Sequence, residues 1–242
     1  MIIVEPSVEL FHVTPNPERV IERAARTCYQ SIHRVKECES CHGRKEHRYK
    51  DIDGDIQASD CVACNGTGTD IESARKIIKT VIDSGHESVL EHASAGVIIV
   101  TDRGITHELV RHRIGVAFSQ ESTRYCNYSA EKGAFCGEIY VIEPPGLNVD
   151  QKPVWSAAME AAESAYKQLI SLGCKPQIAR SVLPTSLKAE ICTTMTFRAW
   201  RHFLDLRTAP AAHPQIQQIA EMVRQKLYEL APSCFEDFHE AH

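Results

Sequence analysis

The chain has 242 residues, enough for one sizeable core or two small ones. Its 43% hydrophobic and 24% charged residues are an ordinary globular balance, and a formal net charge of −5 argues against a general nucleic-acid binder. No apolar run approaches the length that spans a bilayer, and Met1 to Pro6 lacks the marks of a secretory signal, so a cytoplasmic setting is expected.

In chain order, Met1-Ile2-Ile3-Val4-Glu5-Pro6 reads as a short strand. Asn16-Pro17-Glu18 predicts a helix start, with Asn as cap, Pro at the first position and an acid at the positive end; it should run to about Arg26. From Arg34 to Thr69 aliphatic periodicity vanishes and four glycines appear (Gly43, Gly54, Gly66, Gly68), which marks residues 35–69 as an inserted module. Asp70 caps a second helix, on which Ile71, Ala74, Ile77, Ile78, Val81 and Ile82 share one face and which Gly85 stops.

Ala95–Val100 predicts a buried strand, and a short helix begins at Arg103. Ile139–Ile142 predicts another strand before Pro144 and Pro145. Val154–Leu172 is a strong helical pattern followed by Gly173, and Pro176–Leu183 a shorter one ending near Pro184. Ala189, Ile191, Thr193 and Met195 alternate as in a half-buried strand. Helices over Arg198–Leu206 and Gln215–Leu230 close the chain. Without a regular strand–helix–strand rhythm, the expected class is α+β: one domain over 1–242, a sheet packed with helices, carrying the small insertion.

Ten cysteines invite a disulfide reading, but the size and spacing oppose it. Six are scattered (Cys28, Cys126, Cys136, Cys174, Cys192, Cys234) and read as buried thiols. The other four form Cys38-Glu39-Ser40-Cys41 and Cys61-Val62-Ala63-Cys64, nineteen residues apart. Two such knuckles point to one structural, tetrahedral four-thiolate zinc site. A redox dithiol pair or unmetallated thiols are the alternatives, and His42 and His47 are spare ligands. Cys61 to Gly68 resembles the Cys-x-x-Cys-x-Gly-x-Gly repeat of DnaJ-type chaperones; the first knuckle keeps Gly43 but has Lys45 where the second glycine would be. Six Lys/Arg against three acids between Arg34 and Lys50 leave room for a different class of function, a zinc-ribbon nucleic-acid binder. That reading predicts a basic chain and does not explain the arginine-rich segment that begins at Arg111.

Arg111 to Tyr125 carries three arginines and a histidine among Gly115, Phe118, Gln120, Ser122 and Thr123. Arginine stays charged and offers a planar fork of donors, so three forks this close call for an anion, most naturally phosphate. A solvated basic face is the plainer reading. No Gly-x-Gly-x-x-Gly or Walker loop is present, so any dinucleotide must be held by side chains.

Arg-His-Arg followed by Gln120 to Tyr125 resembles the signature of flavin-dependent thymidylate synthases. Three further segments resemble the same family in the same order: Gly85 to His92, Pro176 to Pro184 and Thr196 to Arg207. The resemblance implies FAD, contacted by His86, Ser88, Arg111, His112, Arg113, Gln120, Thr196, Arg198 and His202. Thr196 and His202 stand where the family often has asparagine. It implies dUMP, contacted by Glu108, Arg111, Gln120, Glu121, Ser122, Thr123, Arg124, Arg180 and Arg207, with Arg180 reaching it from a neighbouring subunit. Arg207 is the expected catalytic group, favouring the N3-ionised pyrimidine. Methylenetetrahydrofolate as carbon donor, NADPH as reductant and a homotetramer with shared sites are further implications.

Four residue readings accompany this. His86, Glu91 and His92 could instead ligate a metal. Ser122 lacks an activating neighbour in sequence and reads as a phosphate ligand rather than a nucleophile. Glu108 falls where glutamine is common, and should face an arginine or ribose hydroxyls. Arg201 reads as ordinary helix-surface charge. A relative that transfers a one-carbon unit to another pyrimidine nucleotide would share the same phosphate and flavin contacts.

Overall fold

The computed structural model describes residues 1–130 and 136–240. Its elements in order are β1 (Ile2–Ile3), β2 (Ser7–Val13), α1 (Pro17–Cys28), β3 (Glu46–Lys50), β4 (Ile56–Asp60), α2 (Ile71–Asp83), β5 (Ser94–Asp102), α3 (Arg103–Leu109) and β6 (Val116–Gln120). Next come β7 (Tyr140–Val141), α4 (Gln151–Ser171), α5 (Pro176–Ala179), β8 (Lys188–Thr196), α6 (Phe197–Arg207), α7 (Pro214–Leu230) and α8 (Pro232–Glu240). The fold is α+β, as expected. The chain forms two compact units: one holds Met1–His12, the segment from Gly96 to Met195, and His202–Lys226; the other holds Val13–Ala95, Thr196–Arg201 and the chain from Leu227 on.

The first unit is built on a four-stranded sheet in the order β2-β5-β8-β6. Ala189, Ile191, Thr193 and Met195 of β8 are buried in strict alternation, as their pattern predicts. β6 pairs antiparallel with β8, from Val116 opposite Met195 to Gln120 opposite Ile191. This register carries the arginine segment to the sheet edge, where Glu121 N–H still bonds to Glu190 C=O before the chain turns away. On β5, a Cβ at Gly96 would stand 2.5 Å from the Phe11 ring, so only glycine lets β2 and that ring come so close. A second cluster of Tyr128, Ile139, Val141, Met159, Tyr166, Ala179 and Leu187 packs under α4. β2 and β6 were not apparent from sequence: exposed Phe11 breaks the alternation of β2, and polar residues disguise β6. α4 begins one turn earlier than Val154, with Asn148 Oδ1 accepting the Gln151 N–H.

In the second unit α1 packs on α2. Asp70 caps α2 through the Glu72 N–H, as expected. Asn16 precedes α1 with φ 48 and makes no side-chain cap bond, so it is not the capping acceptor its sequence suggests. α2 ends in a paired arrangement: Gly85 N–H bonds to Ile82 C=O and His86 N–H to Val81 C=O, with Gly85 at φ 69. That turn fixes where the chain enters the 3₁₀ segment Glu87–His92. α8, whose signal is only one short turn of apolar residues after Pro232, was also not foreseen; Phe235 stacks edge-on against Phe197 at 5.2 Å.

Candidate active site

Arg207 sits at the end of α6 and is held by two partners. Its Nε donates to His112 Nε2 at 3.1 Å, and its two terminal nitrogens donate to Glu108 Oε2 at 2.9 Å and Glu108 C=O at 3.3 Å. Glu108 therefore faces an arginine, as its chemistry requires. His112 is buried and meets Phe203 edge-on at 5.2 Å. Burial, then the charge of Arg207 and of His202, push its imidazole down to about 4. At neutral pH His112 is uncharged and its Nε2 is an acceptor, which the Arg207 bond needs. His202 is exposed, its ring 5.9 Å from that of His112. Arg111 and Arg113 are exposed and form no ion pair among the described residues.

The segment after β6 is a turn clamped from two sides. Gln120 donates from its amide to Thr106 Oγ1 at 2.9 Å. Tyr125 and Cys126 N–H groups both bond to Ser122 C=O, and Arg124 N–H to Ser122 Oγ at 3.3 Å. Among the described residues no basic side chain is hydrogen-bonded to Ser122 Oγ, which accepts from the Arg124 N–H. Arg180 donates to Thr123 Oγ1 at 3.2 Å and Arg124 to Gln177 at 3.2 Å, so α5 and the 3₁₀ turn after it cover this turn. Arg180 thus meets the segment of its own chain. Arg124 also lies over the Tyr125 ring at 5.4 Å.

Glu121 behaves differently from its neighbours. Its carboxylate points inward, accepting from Tyr128 at 2.7 Å and pairing with Lys188 at 2.9 Å, while Arg103 donates to its backbone carbonyl. Its side chain is only 9% exposed. Glu121, expected at the substrate, has each carboxylate oxygen hydrogen-bonded within the chain, Oε1 by Tyr128 and Oε2 by Lys188. Burial and then Glu121 push the Tyr128 phenol far up, so Tyr128 remains a donor.

The remaining flavin candidates lie in the second unit. Exposed His86 shares its Nδ1 with Tyr29 Oη at 3.3 Å, and Ser88 is exposed on the next turn. Exposed Arg198 pairs with Glu91 at 2.7 Å, and Thr196 Oγ1 caps α6 through the Ala199 N–H at 3.2 Å. Arg201 is not surface charge: it is buried, forked onto Asp237 at 2.8 and 2.6 Å, and bonded to Cys234 C=O and Glu87. Sequence missed it because both acids lie far away in the chain. It ties Glu87, between His86 and Ser88, to α8. His86, Glu91 and His92 do not converge on a metal position: among the described residues the one grouping of three or more with ligand geometry is the cysteine cluster.

Cys38, Cys41, Cys61 and Cys64 are all buried, with sulfurs within 4.8 Å of one another. Cys38 and Cys61 Sγ are 3.8 Å apart, Cys41 and Cys64 Sγ 3.7 Å. Four thiolates about 2.3 Å from one tetrahedral zinc would stand roughly 3.8 Å apart, so the donor set fits that ion. The two knuckles mirror each other. Cys38 N–H bonds to Gly68 C=O, and Cys61 N–H to Lys45 C=O. His42-Gly43 and Asn65-Gly66 are left-handed pairs, and Lys45 takes φ 73 where Gly68 takes φ 79. Burial pushes the Cys64 thiol up, but the Gly68 N–H at 3.2 Å and the neighbouring thiols outweigh it and draw it down to about 6.

Residues 9–233 match the sequence profile described as thymidylate synthase complementing protein. The chain is 35% identical over 179 residues to the flavin-dependent thymidylate synthase of Mycobacterium avium (strain 104), covering 66% of this chain and 68% of that one. Against the flavin-dependent thymidylate synthase of Geobacter sulfurreducens it is 32% identical over 233 residues, covering 95% and 85%. The solved structure of the UMP/dUMP methylase PolB from Streptomyces cacaoi, bound with 5-Br dUMP, is similar in fold: TM-score 0.72 at 23% identity, over 99% of this chain and 97% of that one.

Proposed function

The chain belongs to the thymidylate synthase complementing protein family, and from that premise we propose that it is a flavin-dependent thymidylate synthase, methylating dUMP at C5 to give dTMP. In this reading FAD reduced by NADPH supplies the hydride, and methylenetetrahydrofolate supplies the carbon. The observation that carries it is the Arg207 fork, braced by neutral His112 and by Glu108. Three of its five N–H groups are engaged, which leaves two for the pyrimidine. A fixed guanidinium there stabilises negative charge developing on the ring without reorganising.

Ser122, Thr123, Arg124 and Arg180 would hold the dUMP phosphate, since that turn presents hydroxyls, N–H groups and two guanidinium groups together. Gln120 would orient the ribose. Arg111 and Arg113, exposed and without an ion pair among the described residues, suit the FAD phosphates; His112 and His202 of the first unit, and His86, Ser88, Thr196 and Arg198 of the second, are the other flavin candidates. Shared sites in a homotetramer and a structural zinc in the cysteine module complete the proposal.

The test is dTMP formation by purified protein from dUMP, methylenetetrahydrofolate and NADPH, with and without added FAD. Flavin-dependent product is expected, and Arg207→Ala should lower turnover by about 10²–10³ while leaving bound flavin unchanged. The methylase whose fold is shared acts on UMP as well as dUMP by its description. Product from UMP but not dUMP would replace the substrate; a colourless protein that FAD does not activate would overturn the reading.

A further inference from the structure

Between α1 and the cysteine module lies a cavity of about 350 Å³, and none of its lining residues is among those assigned above to flavin or dUMP. Arg19, Glu22 and Arg23 of α1 form one wall, Lys45 of the first knuckle stands on the other, and Ile32 and Val35 add an apolar patch. The size is that of a pocket for a small metabolite.

Its charge is unbalanced. Glu22 is the single carboxylate in the lining, and Arg19, Arg26 and Ser73 already engage it at 2.6, 2.8 and 2.6 Å. Arg19 is further anchored to Thr69 C=O at 2.8 Å, which joins the helix to the module. Arg23 and Lys45 form no ion pair among the described residues, yet both line the same cavity. Lys45 is informative in a second way. It occupies the left-handed position that the other knuckle gives to Gly68, a conformation that disfavours any residue with a Cβ. A cationic side chain therefore stands at the cavity where the backbone favours none. The Asn16 side chain, which makes no cap bond, and the N-terminal end of α1 border the same space, adding the partial positive charge of a helix start.

We propose that this cavity binds a small phosphorylated ligand, with the inserted module as its second wall. An arginine fork and a lysine point charge at one apolar-edged pocket match a phosphate group carried on an organic body. A ligand there would bridge the module to α1 and so stabilise the module's fold.

Inorganic pyrophosphate is the first probe, titrated calorimetrically into the zinc-loaded full chain and into two variants. Arg23→Gln/Lys45→Gln should weaken binding at least tenfold, whereas Arg124→Gln, which alters the turn assigned to dUMP, should leave this site intact. Binding lost in Arg124→Gln and kept in Arg23→Gln/Lys45→Gln would place the anion in the nucleotide site and overturn the proposal, as would no binding to the wild type. Both substituted side chains are exposed, so zinc content should not change. Should the double variant lose zinc, Arg23→Gln alone, outside the module, gives the same decision.

Discussion

His112 shows how one residue links folding, charge and chemistry. Its imidazole is held down to about 4 by burial, Arg207 and His202, against about 6.5 unfolded. A depressed folded value contributes stability that is complete above pH 6.5 and lost as pH falls towards 4, because the unfolded chain takes up the proton first. The expected outcome is a fall in denaturation midpoint across that window, shallower in His112→Gln, which keeps an acceptor for Arg207 but does not titrate. Equal slopes for the two proteins would show that His112 does not set this pH dependence. Neighbouring residues divide in the same way by environment: Arg124 stays exposed at the turn, while the Glu121 carboxylate is turned inward to Tyr128 and Lys188.

At the scale of elements, α1 and α2 are joined through a buried charge. Glu22, 3% exposed, accepts from Arg19 and Arg26 on its own helix and from Ser73 on α2. Glu22→Ala would leave buried Arg26 without its carboxylate, and should cost about 3 kcal/mol of stability. A urea-denaturation difference under about 1 kcal/mol would show the network to be dispensable. Element identity was legible wherever local physics decides it. The alternation of β8, the Asp70 cap and the Gly85 stop each act within a few residues, and each appears as predicted. β6 was hidden because its partner β8 lies far along the chain, and its edge position tolerates polar side chains.

At the scale of the whole molecule, the cysteine module has almost no apolar core besides its four thiols. Metal binding, on the order of 10 kcal/mol in modules of this kind, would supply its folding energy. The chain closes the module at its base, where Asp70 N–H bonds to Lys36 C=O and Glu37 bridges Thr69. Chelation should therefore unfold the stretch between these clasps, read as fast amide exchange over residues 37–69, while dUMP binding persists. Joint loss of dUMP binding and module protection would mean that the module supports the site directly.

Short spacing in the sequence was enough for the four-cysteine cluster, the Asp70 cap, the Gly85 stop and the arginine segment that carries the family resemblance. The sequence also limited Glu108 to an arginine or ribose hydroxyls. Only the tertiary structure decided that this arginine is Arg207, that Glu121 turns inward, and that Arg201 is buried against Asp237 and Glu87. The physical reason is the same in each case. A knuckle or a cap satisfies its polar groups within a few residues, whereas these carboxylates choose partners brought close by sheet register and helix packing. Glu108 and Arg207 are 99 residues apart in the chain, and no local pattern records which distant charge will arrive.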